Sequence, residues 1–140
     1  MKTRRYLLKA LAMLLLAGAP MGAWAAAPAA DKGETYPGYI ALDPPLVVNL
    51  DNPRRAQFLQ IKAQFYVETA TDAEQVQRHM PVLRDRMITY FGGRDPEKVR
   101  GAQERERMRG EVLDQLRQAM EETTGAPCIS SLYFTGFIVQ

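Results

Sequence analysis

Phe58-Leu59-Gln60-Ile61-Lys62-Ala63-Gln64-Phe65-Tyr66-Val67-Glu68 is the stretch on which the fold turns. Leu59, Ile61, Ala63, Phe65 and Val67 fall on one side of an extended chain, and Gln60, Lys62, Gln64, Tyr66 and Glu68 on the other. Successive side chains of a strand point to opposite faces, so this alternation predicts a strand with one face in a core and one in water.

Upstream, Asp51-Asn52-Pro53-Arg54 has the chemistry of a turn. It joins this strand to Leu46-Val47-Val48-Asn49-Leu50 closely enough for an antiparallel pair. Tyr39-Ile40-Ala41-Leu42 comes before it, cut off by Asp43-Pro44-Pro45. Proline has no N–H for a ladder, so a bent edge segment is expected there.

Downstream, Thr71 and Glu74 have capping-box spacing and mark a helix start. Val76, Met80, Leu83, Met87 and Tyr90/Phe91 then recur at three- and four-residue intervals, with a kink expected at Pro81 and an end at Gly92-Gly93. Asp95-Pro96 offers a cap and a first-turn proline for a short helix. A longer helix is expected from Ala102 to Glu122, with Met108, Val112, Leu116 and Met120 on one face and Gly125 and Pro127 ending it. Within it Gly110 costs about 1 kcal/mol relative to alanine, through close approach to a neighbour or mere tolerance. Ile129 to Gln140 reads as a last strand with apolar side chains on both faces. The class is α+β, a small antiparallel-type sheet packed with two or three helices, without internal repeats.

The amino terminus reads as an address. Lys2, Arg4, Arg5 and Lys9 precede a short leucine-rich core, and Ala23-Trp24-Ala25 supplies the small residues a signal peptidase reads. The expectation is a signal peptide over 1–25 cleaved after Ala25, a flexible linker over 26–38, and a domain over 39–140. An uncleaved anchor is the rival reading, although the leucine-rich part is well short of the roughly 20 apolar residues that span a bilayer. Thr3-Arg4-Arg5-Tyr6-Leu7-Leu8-Lys9 also resembles a twin-arginine signal, which leaves Sec and Tat export both open. Four of the 18 basic residues and none of the 16 acidic ones lie before Ala26, leaving 14 against 16. A mature charge of about −2 argues against nucleic-acid binding, which needs clustered cations.

A search for catalytic groups finds little. His79 is the single histidine, and no carboxylate stands at a spacing that would share a metal with it. Ser130 and Ser131 lack a nucleophile elbow, and Cys128 has no local cation to make it a thiolate. Cys128 is also the only cysteine, so no intrachain disulfide forms, and the apolar run after it predicts burial. No metal or cofactor is expected. Glu104-Arg105-Glu106-Arg107-Met108-Arg109 is the densest charge run, with Glu106–Arg109 and Asp114–Arg117 at helical pair spacing. It predicts a solvated helix face, with a docking surface for a charged partner as the alternative.

Leu132-Tyr133-Phe134-Thr135-Gly136-Phe137-Ile138-Val139-Gln140 resembles the ending of the FliL family of flagellar basal-body proteins, a Tyr-Phe-Thr-x-Phe strand closing on glutamine. Leu46-Val47-Val48-Asn49-Leu50 resembles the family's first strand, and Pro81-Val82-Leu83-Arg84-Asp85-Arg86-Met87-Ile88 its helix motif around Arg-Asp. The motif positions are thus Asn49, Leu50, Arg84, Asp85, Tyr133, Phe134, Thr135, Phe137 and Gln140. The resemblance implies a periplasmic domain similar to a stomatin-like (SPFH) domain, without catalysis. It also implies assembly as a homo-oligomeric ring beside a MotA/MotB-type stator at the inner membrane, in support of flagellar rotation, swimming, swarming and chemotaxis. A periplasmic SPFH-like scaffold without a flagellar role is the second reading. Two departures stand out: a signal-like leader replaces the family's usual transmembrane helix, and Gly136 stands where an acidic residue is expected.

Overall fold

The structure is a computed structural model, and it describes residues 36–140. The leader, its expected cleavage positions Ala23 and Ala25, and the linker up to residue 35 lie outside the described residues.

The sheet grows from β3 (Gln57–Val67), the stretch with the strict alternation. Gln57, Leu59, Ile61, Ala63, Phe65 and Val67 are all buried, while Phe58 and Lys62 are exposed. A strand has two edges, and β3 uses both. β4 (Ser131–Val139) runs antiparallel along one, from Leu59↔Val139 to Tyr66↔Ser131. The other edge is shared end to end by two short strands. β2 (Leu46–Leu50) pairs with Gln57 to Ile61, and β1 (Gly38–Ala41) pairs with Gln64 to Val67. Asp43-Pro44-Pro45 lies between them, where prolines cannot continue a ladder, and Leu42 N–H makes the last bond before the break, to Ala63 O at 2.9 Å.

β4 carries one irregularity. Its register moves from Lys62↔Gly136 to Ala63↔Phe134, so Thr135 is the extra residue of a β-bulge. Tyr133 and Ile138 are exposed, while Phe134, Phe137 and Val139 pack on the core. The expectation of apolar side chains on both faces is met, but only one face is inside.

Four helical segments cover the inner face. α1 (Ala70–Arg78) begins two residues earlier than the Thr71 cap predicts. Thr69 is the cap: its Oγ1 accepts from Asp72 N–H at 3.1 Å and donates to Asp72 Oδ2 at 2.7 Å. Thr69 has the same three-residue spacing to an acid as Thr71, with the shorter aspartate in place of glutamate. Glu74 instead meets Arg78.

The expected kink at Pro81 is a full break at His79. α2 (Met80–Phe91) starts a new ladder, with Val82 and Leu83 N–H both donating to His79 O. Pro81 thereby sits in a first turn, where its missing N–H costs nothing and its ring meets no carbonyl one turn back. α3 (Pro96–Arg100) is capped by Asp95, which accepts from Glu97 N–H at 2.9 Å, as its sequence predicts. α4 (Ala102–Thr124) ends at Gly125, whose φ of 81° only glycine adopts without strain.

Leu83, Met87, Phe91, Met108, Leu116 and Met120 meet Leu59, Ile61 and Phe65 in one core. Each such side chain contributes roughly 1.5–3 kcal/mol on burial. Among the described residues no helix lies over the sheet's opposite face. Tyr39, Val47 and Ile138 there are 58%, 57% and 50% exposed. Tyr39 contacts Tyr66 and Tyr133 with ring centroids 5.0 and 6.0 Å apart, which joins β1, β3 and β4 in a surface aromatic group.

Candidate functional site

The structure distributes the motif positions over both faces of the domain. Leu50 is buried, and Phe134 and Phe137 pack beneath the sheet against Phe91, with centroids 6.0 and 5.9 Å away. These three are core residues. Asn49 is exposed, and its carbonyl accepts from Gly93 N–H at 2.9 Å, so the backbone does the joining. Gln140 and Phe58 exchange two backbone bonds of 2.8 and 3.0 Å. Tyr133 faces out in the tyrosine group, and Thr135 is the bulge residue beside it. Arg84 Nη1 donates to Pro44 O at 2.7 Å, which clamps the β1–β2 joint to α2, and Asp85 is exposed.

Gly136, the departure from the family pattern, is explained by its partner strand. A Cβ there would come within 3.2 Å of Lys62 Cδ, because the lysine stem lies across the glycine. Lysine methylenes cover apolar surface while the ammonium stays in water.

Two polar groups on α4 escape a reading of sequence spacing. Tyr90 hydroxyl donates to Glu111 Oε2 at 2.5 Å, Glu111 pairs with Arg107, and Arg107 with Glu104. Arg94 lies 4.0 Å over the Tyr90 ring and donates through Nε to Tyr90 O at 2.6 Å. Burial, then the bond to Glu111, pushes the Tyr90 phenol up to about 12. The phenol, followed by Arg107, holds the Glu111 carboxyl below its usual range. This cluster ties α2, the loop after it and α4 into one piece.

The second group lies along β4. Glu106–Arg109 forms as the spacing predicts, but Asp114–Arg117 does not. Arg117 reaches across instead, Nε donating to Ile129 O at 2.8 Å and Nη2 to Ser130 O, and Arg109 Nη1 donates to Leu132 O at 3.0 Å. A charged donor on an otherwise bare carbonyl is stronger than a neutral one. Arg105 stands over the Phe137 ring at 5.5 Å.

The nucleophile candidates are dispersed. His79 is the hinge between α1 and α2, not a residue within a helix. Cys128 is buried with φ of 57°, its Sγ 3.5 Å from Thr124 Oγ1. Burial raises its pKa, only partly offset by the Thr124 hydrogen bond and reinforced by Asp72, which makes it a poor nucleophile. Among the described residues no group of three or more His, Cys, Asp or Glu side chains gathers to hold a metal, and no helix is long and apolar enough to cross a membrane.

The domain presents an open sheet face and arginine-capped strand ends over a single core. The comparisons with known proteins agree on what it is. The family described as "Flagellar basal body-associated protein FliL" matches residues 39–140. A flagellar protein FliL from Aquifex aeolicus (strain VF5) is 29% identical over 99 residues, which is 71% of this chain and 59% of that protein. The chain therefore spans less than two thirds of that relative's length. With the family pattern running from the start of β1 to the end of β4, the chain belongs to the FliL family of flagellar basal body-associated proteins.

Proposed function

We propose that the domain acts without catalysis as an accessory of the flagellar motor, binding a MotA/MotB-type stator on the periplasmic side of the inner membrane. The family match over 39–140 carries this reading. The open sheet face, with Tyr39, Val47, Phe58, Tyr133 and Ile138 exposed, supports it as a surface for protein contact. The protein supports rotation, and through it swimming, swarming and chemotaxis. Its copies assemble as a ring around the stator. The leader over 1–25 directs export, and after cleavage at Ala25 the protein is held at the motor by protein contacts. Binding the engaged stator more tightly than the free one is the mechanism, since only differential affinity shifts such an equilibrium.

Deletion is expected to impair swimming or swarming while filaments still assemble, and stator subunits are expected to co-purify with the protein. Normal motility on both surfaces, in a strain without a paralogue, would overturn the reading. His79→Ala, Cys128→Ser and Ser131→Ala are expected to leave motility intact wherever the variant folds.

A further inference from the structure

A bare sheet edge invites pairing with another chain, and folded proteins cover theirs. Parts of the edges of β2 and β4 are covered from within. Gly93 N–H bonds Asn49 O and Asp51 N–H bonds Arg94 O (2.9 and 3.0 Å), closing the end of β2. Arg84 closes Pro44 O, and Arg117 and Arg109 close the carbonyls of Ile129, Ser130 and Leu132 at the start of β4. Among the described residues, nothing gives such cover to the remainder of β4, from Phe134 to Val139. The reciprocal Phe58–Gln140 pair fixes how its peptide groups face. In an antiparallel ladder, bonded pairs alternate with pairs whose N–H and C=O point away. Val139 and Phe137 therefore aim their backbone groups away from β3, as Leu132 does where Arg109 meets it.

Charge stands beside that edge. A groove of about 420 Å³ runs between α4 and β4, lined by Ala102, Arg105, Glu106, Arg109, Tyr133 and Phe134. Arg109 and Glu106 are committed to each other, and Glu104 to Arg107. Arg105 takes part in none of the ion pairs among the described residues. Its Nε is out of solvent and has no hydrogen-bond partner. Arg105 itself is only partly buried, standing over Phe137 beside the groove, and a carboxylate is the acceptor a guanidinium fits best.

We propose that an acidic, extended polypeptide adds to the free edge of β4 as a fifth strand of the four-stranded sheet, with Arg105 taking one of its carboxylates. Backbone bonds to Phe137 and Val139 supply register, and the groove supplies the preference for acid. Strand addition of this kind draws affinity from the main chain and specificity from side-chain pockets. The inference stands apart from the stator reading, because failure of edge pairing leaves the deletion phenotype and the open sheet face untouched.

The test uses the full chain with an end-blocked peptide alternating glutamate and valine, beside its lysine–valine counterpart. Amide hydrogen exchange is followed at Phe137 and Val139, and affinity by titration. The acidic peptide is expected to slow exchange at both amides. Arg105→Gln is expected to weaken it about tenfold, a loss of about 1.4 kcal/mol. Val139→Pro removes an outward N–H without touching the bonds of Ile138 and Gln140, and is expected to weaken it further. Should that variant fail to fold, Arg105→Gln still decides. Equal protection by the lysine peptide, unchanged affinity in Arg105→Gln, or no binding at all would overturn the proposal. So would concentration-dependent protection without peptide, which would assign the edge to a second copy of the chain.

Discussion

Gly110 and Gly125 lie on the same helix and make opposite demands. A Cβ at Gly110 would meet nothing within 4 Å, so tolerance and not close approach accounts for this glycine. Gly110→Ala is expected to raise stability by about 1 kcal/mol, read as a higher denaturation midpoint. Gly125 has the same open space but a φ of 81°. There Gly125→Ala is expected to cost about 1–2 kcal/mol, because the left-handed conformation brings Cβ against the next carbonyl. Cys128 holds a positive φ without being glycine, and its raised pKa keeps the thiol protonated. A thiol reagent is expected to modify it slowly in the native protein and quickly once denatured.

At the scale of elements, α4 is held by two kinds of contact that respond differently to pH. Hydrogen bonds from Arg107, Arg109 and Tyr90 respectively lower the pKa of Glu104, Glu106 and Glu111. A carboxyl depressed on folding stabilises the native state above its ordinary range, near 4.5, and that contribution fades as pH falls through the lowered value. All three are solvent-accessible, so the loss is expected to be small and to shrink in high salt. Tyr90 has the opposite sign. Its phenol rises from 10.0 to about 12, so its contribution is complete below 10 and is lost as pH climbs through about 12. A phenolate absorbance titration of the native protein against Tyr90→Phe is expected to show one tyrosine ionising near 12. β4 also has a defined weight. Leu132 is fully buried and Phe134, Phe137 and Val139 pack on the core, whereas Ile138 is half exposed and contributes little. Phe134 and Phe137 alone represent several kcal/mol of burial against a net stability of about 5–15 kcal/mol. Deleting 133–140 is expected to abolish the cooperative melt.

Across the whole molecule, what was legible in the sequence is what depends on neighbours along the chain. β3 declared itself by alternation, α3 by Asp95-Pro96, and the end of α4 by Gly125, because each rests on residues a few positions apart. The α2 break at His79 was blurred, since the apolar stripe continues across it and Pro81 fits either a kink or a first turn. Arg117 escaped because Asp114 stands at the right helical spacing, while the carbonyls it meets are 12 and 13 residues away. Tyr90, Arg94, Glu111 and Arg107 escaped for the same reason, being joined only when α2 and α4 pack. The motif residues of the last strand could be found but not sorted, because the bulge at Thr135 changes which side chains face in. The open sheet face is where the proposed function is best probed: a Val47→Lys, Ile138→Lys pair is expected to melt like the parent, yet to lose stator co-purification.

One consequence concerns load. β1 is gripped by only four residue pairs before Asp43-Pro44-Pro45 interrupts the edge of β3. A pull transmitted through the chain before Gly38 meets this short strand first, and the proline joint keeps it from running straight on into β2. Arg84, holding Pro44 O from α2, is then the stop at which unzipping is arrested. Under such a pull β1 is expected to peel first while the rest of the sheet stays shut, read in single-molecule stretching as a small early extension that Arg84→Ala enlarges.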